Sequence, residues 1–197
     1  MIFRIDLKII LFLVLFFYTK QIKNYFFIMI FAIIHELFHI IVGMLFKFKI
    51  NKITIFPMGL SAQFFEVEHY KQNKNVEIKK IITYLAGPTS NILIAIILSM
   101  IKLENNIKYP IIYSNILISI FNLIPIYPLD GGRIISSILN IYYGKEKSKI
   151  ITDIISSISI FIISFIFSIL IYYFKNIGFL FVLIYLWGIM INSNSCS

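Results

Sequence analysis

Residues 25–46 form a nearly continuous apolar run with one formally charged side chain, Glu36, set between His35 and His39. A run of this length matches the roughly 20 residues that a helix needs to cross a hydrocarbon layer. Inside such a layer only a helix or a closed barrel can satisfy its own backbone, so the run predicts a membrane-spanning helix. On that helix His35 and His39, four residues apart, share one face, and Glu36 sits beside them. The pattern His-Glu-Leu-Phe-His is a zinc-hydrolase signature, with two imidazole ligands and a carboxylate placed as general base. Ionisable groups at membrane depth are costly and mark function.

The rest of the chain fits a membrane protein. It is 59% hydrophobic over 197 residues, with a mean hydropathy of +0.91, more apolar surface than a soluble domain of this size carries. At about 20 residues per span the apolar runs predict about six transmembrane helices, near 5–19, 25–46, 78–101, 109–127, 152–174 and 177–192. The 5–19 segment has a basic start, but Tyr18, Lys20 and Gln21 stand where a secretory signal would carry small residues, so it is expected to be retained. The fold class expected is an all-α polytopic membrane protein with a small membrane-associated β-hairpin. It is expected to form one transmembrane domain over 1–197, with no soluble regulatory module.

A net charge of +9 is a property shared with nucleic-acid binders, but on this chain it reads as topology, and no nucleic-acid partner is expected. Most of the 18 Lys and Arg fall in 1–8, 47–80 and 133–149, against Lys20, Lys23, Lys102, Lys108 and Lys175 on the other side. The positive-inside rule then puts both termini, the 47–77 loop and the 128–151 segment in the cytoplasm; an inverted topology is the alternative. The single cysteine, Cys196, excludes an intrachain disulfide.

Within 47–77, KFKINKITIF alternates and is rich in β-branched and aromatic residues. Pro57-Met58-Gly59 breaks it, and SAQFFEVE is able to return as a second strand. A hairpin at the membrane surface is one reading, and an ordinary loop is the other. The 140–151 stretch, NIYYGKEKSKII, reads as a cytoplasmic loop turning at Gly144. The last two spans read as scaffold.

A catalytic zinc takes three protein ligands and keeps one position open. Beyond His35 and His39, the candidates are Asp6, Glu66, Glu68, His69, Glu77, Glu104, Asp130, Glu146 and Asp153. Asp130 stands out because it follows Pro125 and Pro128, which break the fourth span, and precedes Gly131 and Gly132, which permit backbone shapes other residues avoid. A helix N-cap over 131–141 is its other reading. His39 lies seven residues before Phe46, about 10 Å from the cytoplasmic end. The fourth span also runs inward, bringing Asp130 to the same membrane half. The third span starts on that side with Ala86-Gly87-Pro88-Thr89-Ser90-Asn91. Asn91 and Asn122 each place an amide in an apolar helix, where it needs partners. Substrate positioning or helix packing would account for Asn91; substrate positioning, a hydrogen bond to a metal ligand, or capping of the broken helix would account for Asn122.

These motifs resemble the site-2 protease family of intramembrane zinc metalloproteases. HELFH matches its HExxH helix, NLIPIYPLDG (122–131) looks like its second motif, and AGPTSN is similar to its Gly-Pro segment; the similarity covers roughly residues 25–135. Phe38 stands where Gly is usual. The resemblance implies a zinc-dependent metalloendopeptidase: Zn2+ held by His35, His39 and Asp130, Glu36 as catalytic base, and a membrane-associated or transmembrane protein as substrate. PMG…EVEH, AGP and FNLIPIYPLDGGR resemble the family's sporulation branch, which implies a sigma-factor precursor, pro-sigma-K, as substrate, with inhibitory membrane partners possible. Anti-sigma factors or other membrane regulators are the alternative substrates. A non-catalytic metal carrier or scaffold is the alternative of another class.

Overall fold

A computed structural model describes residues 2–5, 22–56, 59–64, 74–174 and 178–195. Most of the predicted first span, together with Asp6, Glu66, Glu68, His69 and Cys196, lies outside the described residues. The chain divides into two compact units: Met1–Lys71 with Ile82–Asn122, and Gln72–Ile81 with Leu123–Ser197.

In the first unit, strand β1 (Ile2–Ile5) pairs parallel with β2 (Ile50–Phe56), and β2 pairs antiparallel with β3 (Gly59–Phe64). Ile2 faces Lys52 and Ile5 faces Ile55 across the parallel pair, while Phe56 faces Gly59 where the antiparallel pair closes. The third strand, from the N-terminus, was not expected from the sequence: four residues are too few for an alternation pattern to register.

Helix α1 (Ile22–Leu45) carries the HExxH pattern and packs against β3 and against α3 (Asn105–Asn122). It ends on a left-handed residue, Lys47 at φ 62°. Lys47 N–H donates to Met44 O at 2.9 Å and Phe48 N–H to Gly43 O at 2.9 Å, the paired bonds of a Schellman stop. Helix α2 (Lys74–Met100) holds Pro88 in its interior. Proline removes one helical N–H and crowds the preceding turn. Hydroxyls here bond local carbonyls: Thr89 Oγ1 donates to Leu85 O at 2.8 Å and Ser90 Oγ to Gly87 O at 2.6 Å. The carbonyl of Pro88 itself accepts from Ser119 Oγ of α3 at 3.1 Å. At the far end, Lys108 Nζ bonds the carbonyls of Ser99 and Ile101 at 2.8 and 2.9 Å, a cation satisfying carbonyls that a helix C-terminus leaves open.

In the second unit, α4 (Asp130–Tyr143) packs on α5 (Lys145–Phe174), and α5 on α6 (Gly178–Ser195). The expected loop at 140–151 is helical on both sides of one residue, Gly144 at φ 81°. Its charged residues suit a cytoplasmic loop, but Lys and Glu are also good helix formers, and α5 starts among them. The fourth predicted span corresponds to α3, which stops at Asn122 before Pro125 rather than kinking through it.

Residues 123–129 turn sharply, with a cis bond between Tyr127 and Pro128, and the first turn of α4 folds back onto them. A Cβ at Gly131 would run into Leu123 O and lie 2.5 Å from Ile124 O; one at Gly132 would meet Tyr127 N and Ile126 C. Both glycines are helical, so they serve close approach and not the unusual dihedrals the sequence suggested.

Three helices among the described residues are long and apolar enough to cross a membrane: Tyr25–Leu45, Lys74–Met100 and Lys145–Tyr173. We predict that Gly131→Ala lowers stability by about 2 kcal/mol, because its Cβ meets fixed backbone. Thermal unfolding in detergent measures this; an unchanged midpoint would contradict the packing described.

Candidate metal centre

The helical repeat of α1 stacks His35, Glu36 and His39 on the buried side of the first unit, while Leu37 and Phe38 are exposed. Phe38, the departure from the usual Gly, therefore lies off the histidine face.

The two imidazoles converge: Nε2 of His35 and Nε2 of His39 are 3.1 Å apart, with ring planes nearly perpendicular. Nδ1 of His39 lies 2.7 Å from the backbone carbonyl of Thr83 on α2. A carbonyl only accepts, so Nδ1 donates and the neutral ring keeps its lone pair on Nε2. This is the backbone support that fixes the tautomer and aim of a metal-bound histidine. Two zinc–imidazole bonds of about 2.0–2.1 Å at a tetrahedral angle would hold their nitrogens about 3.3 Å apart, close to the spacing seen. Glu36 Oε2 lies 3.9 Å from His39 Nε2, beside the point on which the nitrogens converge.

Gly87 of α2 clears the space in front of them. A Cβ there would lie 2.6 Å from His35 Nε2 and closer still to His39 Nε2. A donor pair aimed at one point, steadied from behind and left open by a glycine, fits a small cation.

Along α2 from Gly87, Asn91 is fully buried, at 0% exposure. Its Oδ1 lies 3.4 Å from Ser90 Oγ, whereas its Nδ2 has no hydrogen-bond partner. Asn122 ends α3 half-buried and donates Nδ2 to Ile118 O at 3.0 Å, so one of its amide hydrogens serves its own helix.

Asp130 belongs to the second unit, where it is buried in the first turn of α4. The helix N-cap is Leu129, and no side chain makes a capping bond there. Asp130 is one position inside the helix, so the N-cap alternative does not describe it. Its charge still favours the positive helix end.

Two features escaped the sequence reading. Thr83 contributes only a backbone carbonyl, which leaves no trace in side-chain type. Asn115 of α3 is fully buried, with Nδ2 on Ile111 O at 2.9 Å and Oδ1 without a partner. An amide inside an apolar helix was the available signal, the same one that singled out Asn91 and Asn122.

With this geometry in place, comparison with known proteins is informative. The family model described as peptidase family M50 matches residues 24–108 and 105–166. A zinc metalloprotease of Methanocaldococcus jannaschii is 34% identical over 149 residues, 71% of this chain and 42% of the relative. Stage IV sporulation protein FB of Bacillus subtilis is 27% identical over 121 residues, 59% of this chain and 40% of the relative. The chain thus spans about two fifths of the length of these curated relatives. Among solved structures, the site-2 protease from Methanocaldococcus jannaschii superposes with a TM-score of 0.73 at 24% identity, over 95% of this chain and 88% of that one; this likeness speaks to the fold. The matched residues include the helix with His35, Glu36 and His39, the Gly87 segment and Asp130, and on that match this chain belongs to peptidase family M50.

Proposed function

We propose that this protein is a zinc-dependent intramembrane endopeptidase in which His35, His39 and Asp130 hold the metal and Glu36 is the catalytic base. The observation that carries the reading is the converging Nε2 pair, backed by the Thr83 carbonyl and cleared by Gly87. Family membership supports the reaction class. For Asp130, support comes from its burial in the first turn of α4 and the likeness of NLIPIYPLDG to the family's second motif.

His35, His39 and Asp130 would hold the zinc ion, which would supply a Lewis acid able to acidify a water near neutral pH and to polarise the scissile carbonyl. Glu36 takes the proton of the attacking water and passes it to the leaving amine. Burial of His35, Glu36 and His39 strengthens each of these charge interactions. Asn91, whose buried Nδ2 is unpartnered, and Asn122 are read as donors that position the substrate backbone. The substrate must be extended at the cut, since a helical peptide bond is shielded by its own hydrogen bonds.

We read the chain as an integral membrane protein of six spans with both termini cytoplasmic. The substrate class is a membrane-associated sigma-factor precursor such as pro-sigma-K, supported by the likeness of FNLIPIYPLDGGR to the sporulation branch; a membrane regulator such as an anti-sigma factor is the other candidate. Co-expression with each, looking for a product that is shorter with wild type only, decides between them.

Glu36→Gln is expected to keep its zinc and lose cleavage by at least about a hundredfold, the scale of general acid–base catalysis; continued cleavage would remove Glu36 from its role. Asp130→Asn is expected to reduce zinc content, measured by elemental analysis of purified protein, and unchanged content would remove Asp130 from the ligand set. Gly87→Ala is expected to reduce zinc retention about tenfold or more in competition with a chelator, because the new methyl occupies the space in front of both Nε2 atoms. Wild-type retention would mean that the nitrogens do not converge on a metal.

A further inference from the structure

Helix α5 carries Ser156, Ser157 and Ser159, and each donates its hydroxyl to the carbonyl four residues back, at 2.8, 2.8 and 2.7 Å. Such back-bonds are ordinary for serine in an apolar helix. Ser156 differs in two respects: it is buried, and its Oγ also accepts the backbone N–H of Tyr127 at 3.0 Å.

That N–H has few other places to go. The 123–129 segment is neither helix nor strand, Pro125 and Pro128 have no N–H, Ile126 N–H donates to Ile124 O and Leu129 N–H to Ile126 O, both at 2.8 Å, and Leu129 O accepts from Arg133 N–H at 2.9 Å. A backbone donor inside an apolar environment needs an acceptor, and Ser156 provides it. Gly131 and Gly132 press the first turn of α4 onto the backbone of 123–127, so the segment and that turn form one tight piece. Tyr127 ties the piece to α5, and Asp130 stands three residues further on.

We infer that Ser156 is a positioning residue for the metal site: its hydroxyl, bridging Thr152 O and Tyr127 N–H, fixes the turn that presents the Asp130 carboxylate. The inference rests on Asp130 being a zinc ligand. Groups that hydrogen-bond a metal's own ligands change affinity by about 10- to 100-fold; Ser156 acts one step further out, through the backbone of Tyr127, so the low end of that range is expected.

The test uses the full chain in detergent, with zinc as the probe in competition with a chelator, and amide hydrogen exchange across 123–129 in the zinc-free protein. Ser156→Ala should bind zinc about tenfold more weakly and exchange faster at Tyr127. Ser156→Thr, which keeps the hydroxyl, should match wild type, and Ser156→Cys, a weak acceptor, should fall between; it also gives a reading if the alanine variant does not fold. Ser157→Ala loses the same kind of back-bond and should leave zinc affinity unchanged. Equal affinity in Ser156→Ala and wild type, or equal loss in Ser157→Ala, overturns the inference. If Asp130→Asn retains zinc, the ligand reading itself fails; if Asp130→Asn loses zinc and Ser156→Ala does not, only the role of Ser156 fails.

Discussion

The hydrogen bond from His39 Nδ1 to the Thr83 carbonyl is the contact on which the candidate metal centre depends. It chooses the tautomer, so that the lone pair faces His35. It also joins α1 to α2 at one level, and that level brings Gly87 in front of both rings. A histidine pair on an isolated helix would be free to rotate about its side-chain bonds. Here one ring is held from behind by backbone, and the other closes against it at 3.1 Å. A neutral His35 can close this distance by donating Nε2–H to the His39 lone pair, and a cation that displaces that proton would be met by both nitrogens.

Glycine is used for one purpose at two places. At Gly87 the missing side chain leaves room in front of the imidazoles. At Gly131 and Gly132 it lets a helix start directly against the turn that precedes it. Both are close approaches within regular helix. The prolines stand beside them: Pro88 lies inside α2 next to Gly87, and Pro125 and Pro128 keep 123–129 from continuing α3. Serine and threonine hydroxyls then take up backbone groups in these places, which an apolar environment requires.

Much of this was legible in the sequence because the chemistry is carried by rare residues in an apolar background. HELFH announces its buried face by spacing alone, and Asp130 is marked as a candidate by the Pro and Gly around it. The helices α1, α2 and α5 follow from apolar runs. What was not legible was carried by backbone or by short range. The Thr83 carbonyl has no signature, β1 is four residues long, and the start of α5 is written in charged residues that suit a helix and a loop equally. Asn115 carried a signal that was present but weaker than its neighbours' because no motif surrounds it. The role of Ser156 depends on which backbone it meets from 29 residues away, and nothing local in the sequence records that.

Zinc-edge X-ray absorption on the purified full chain tests the central claim most directly, since it reports the ligands without needing a substrate. Two imidazole nitrogens at about 2.0–2.1 Å are expected, with the remaining positions filled by oxygen, and one imidazole is lost when either His35 or His39 is replaced. A protein that binds no zinc, or a bound zinc whose imidazole signal survives replacement of both histidines, would contradict it.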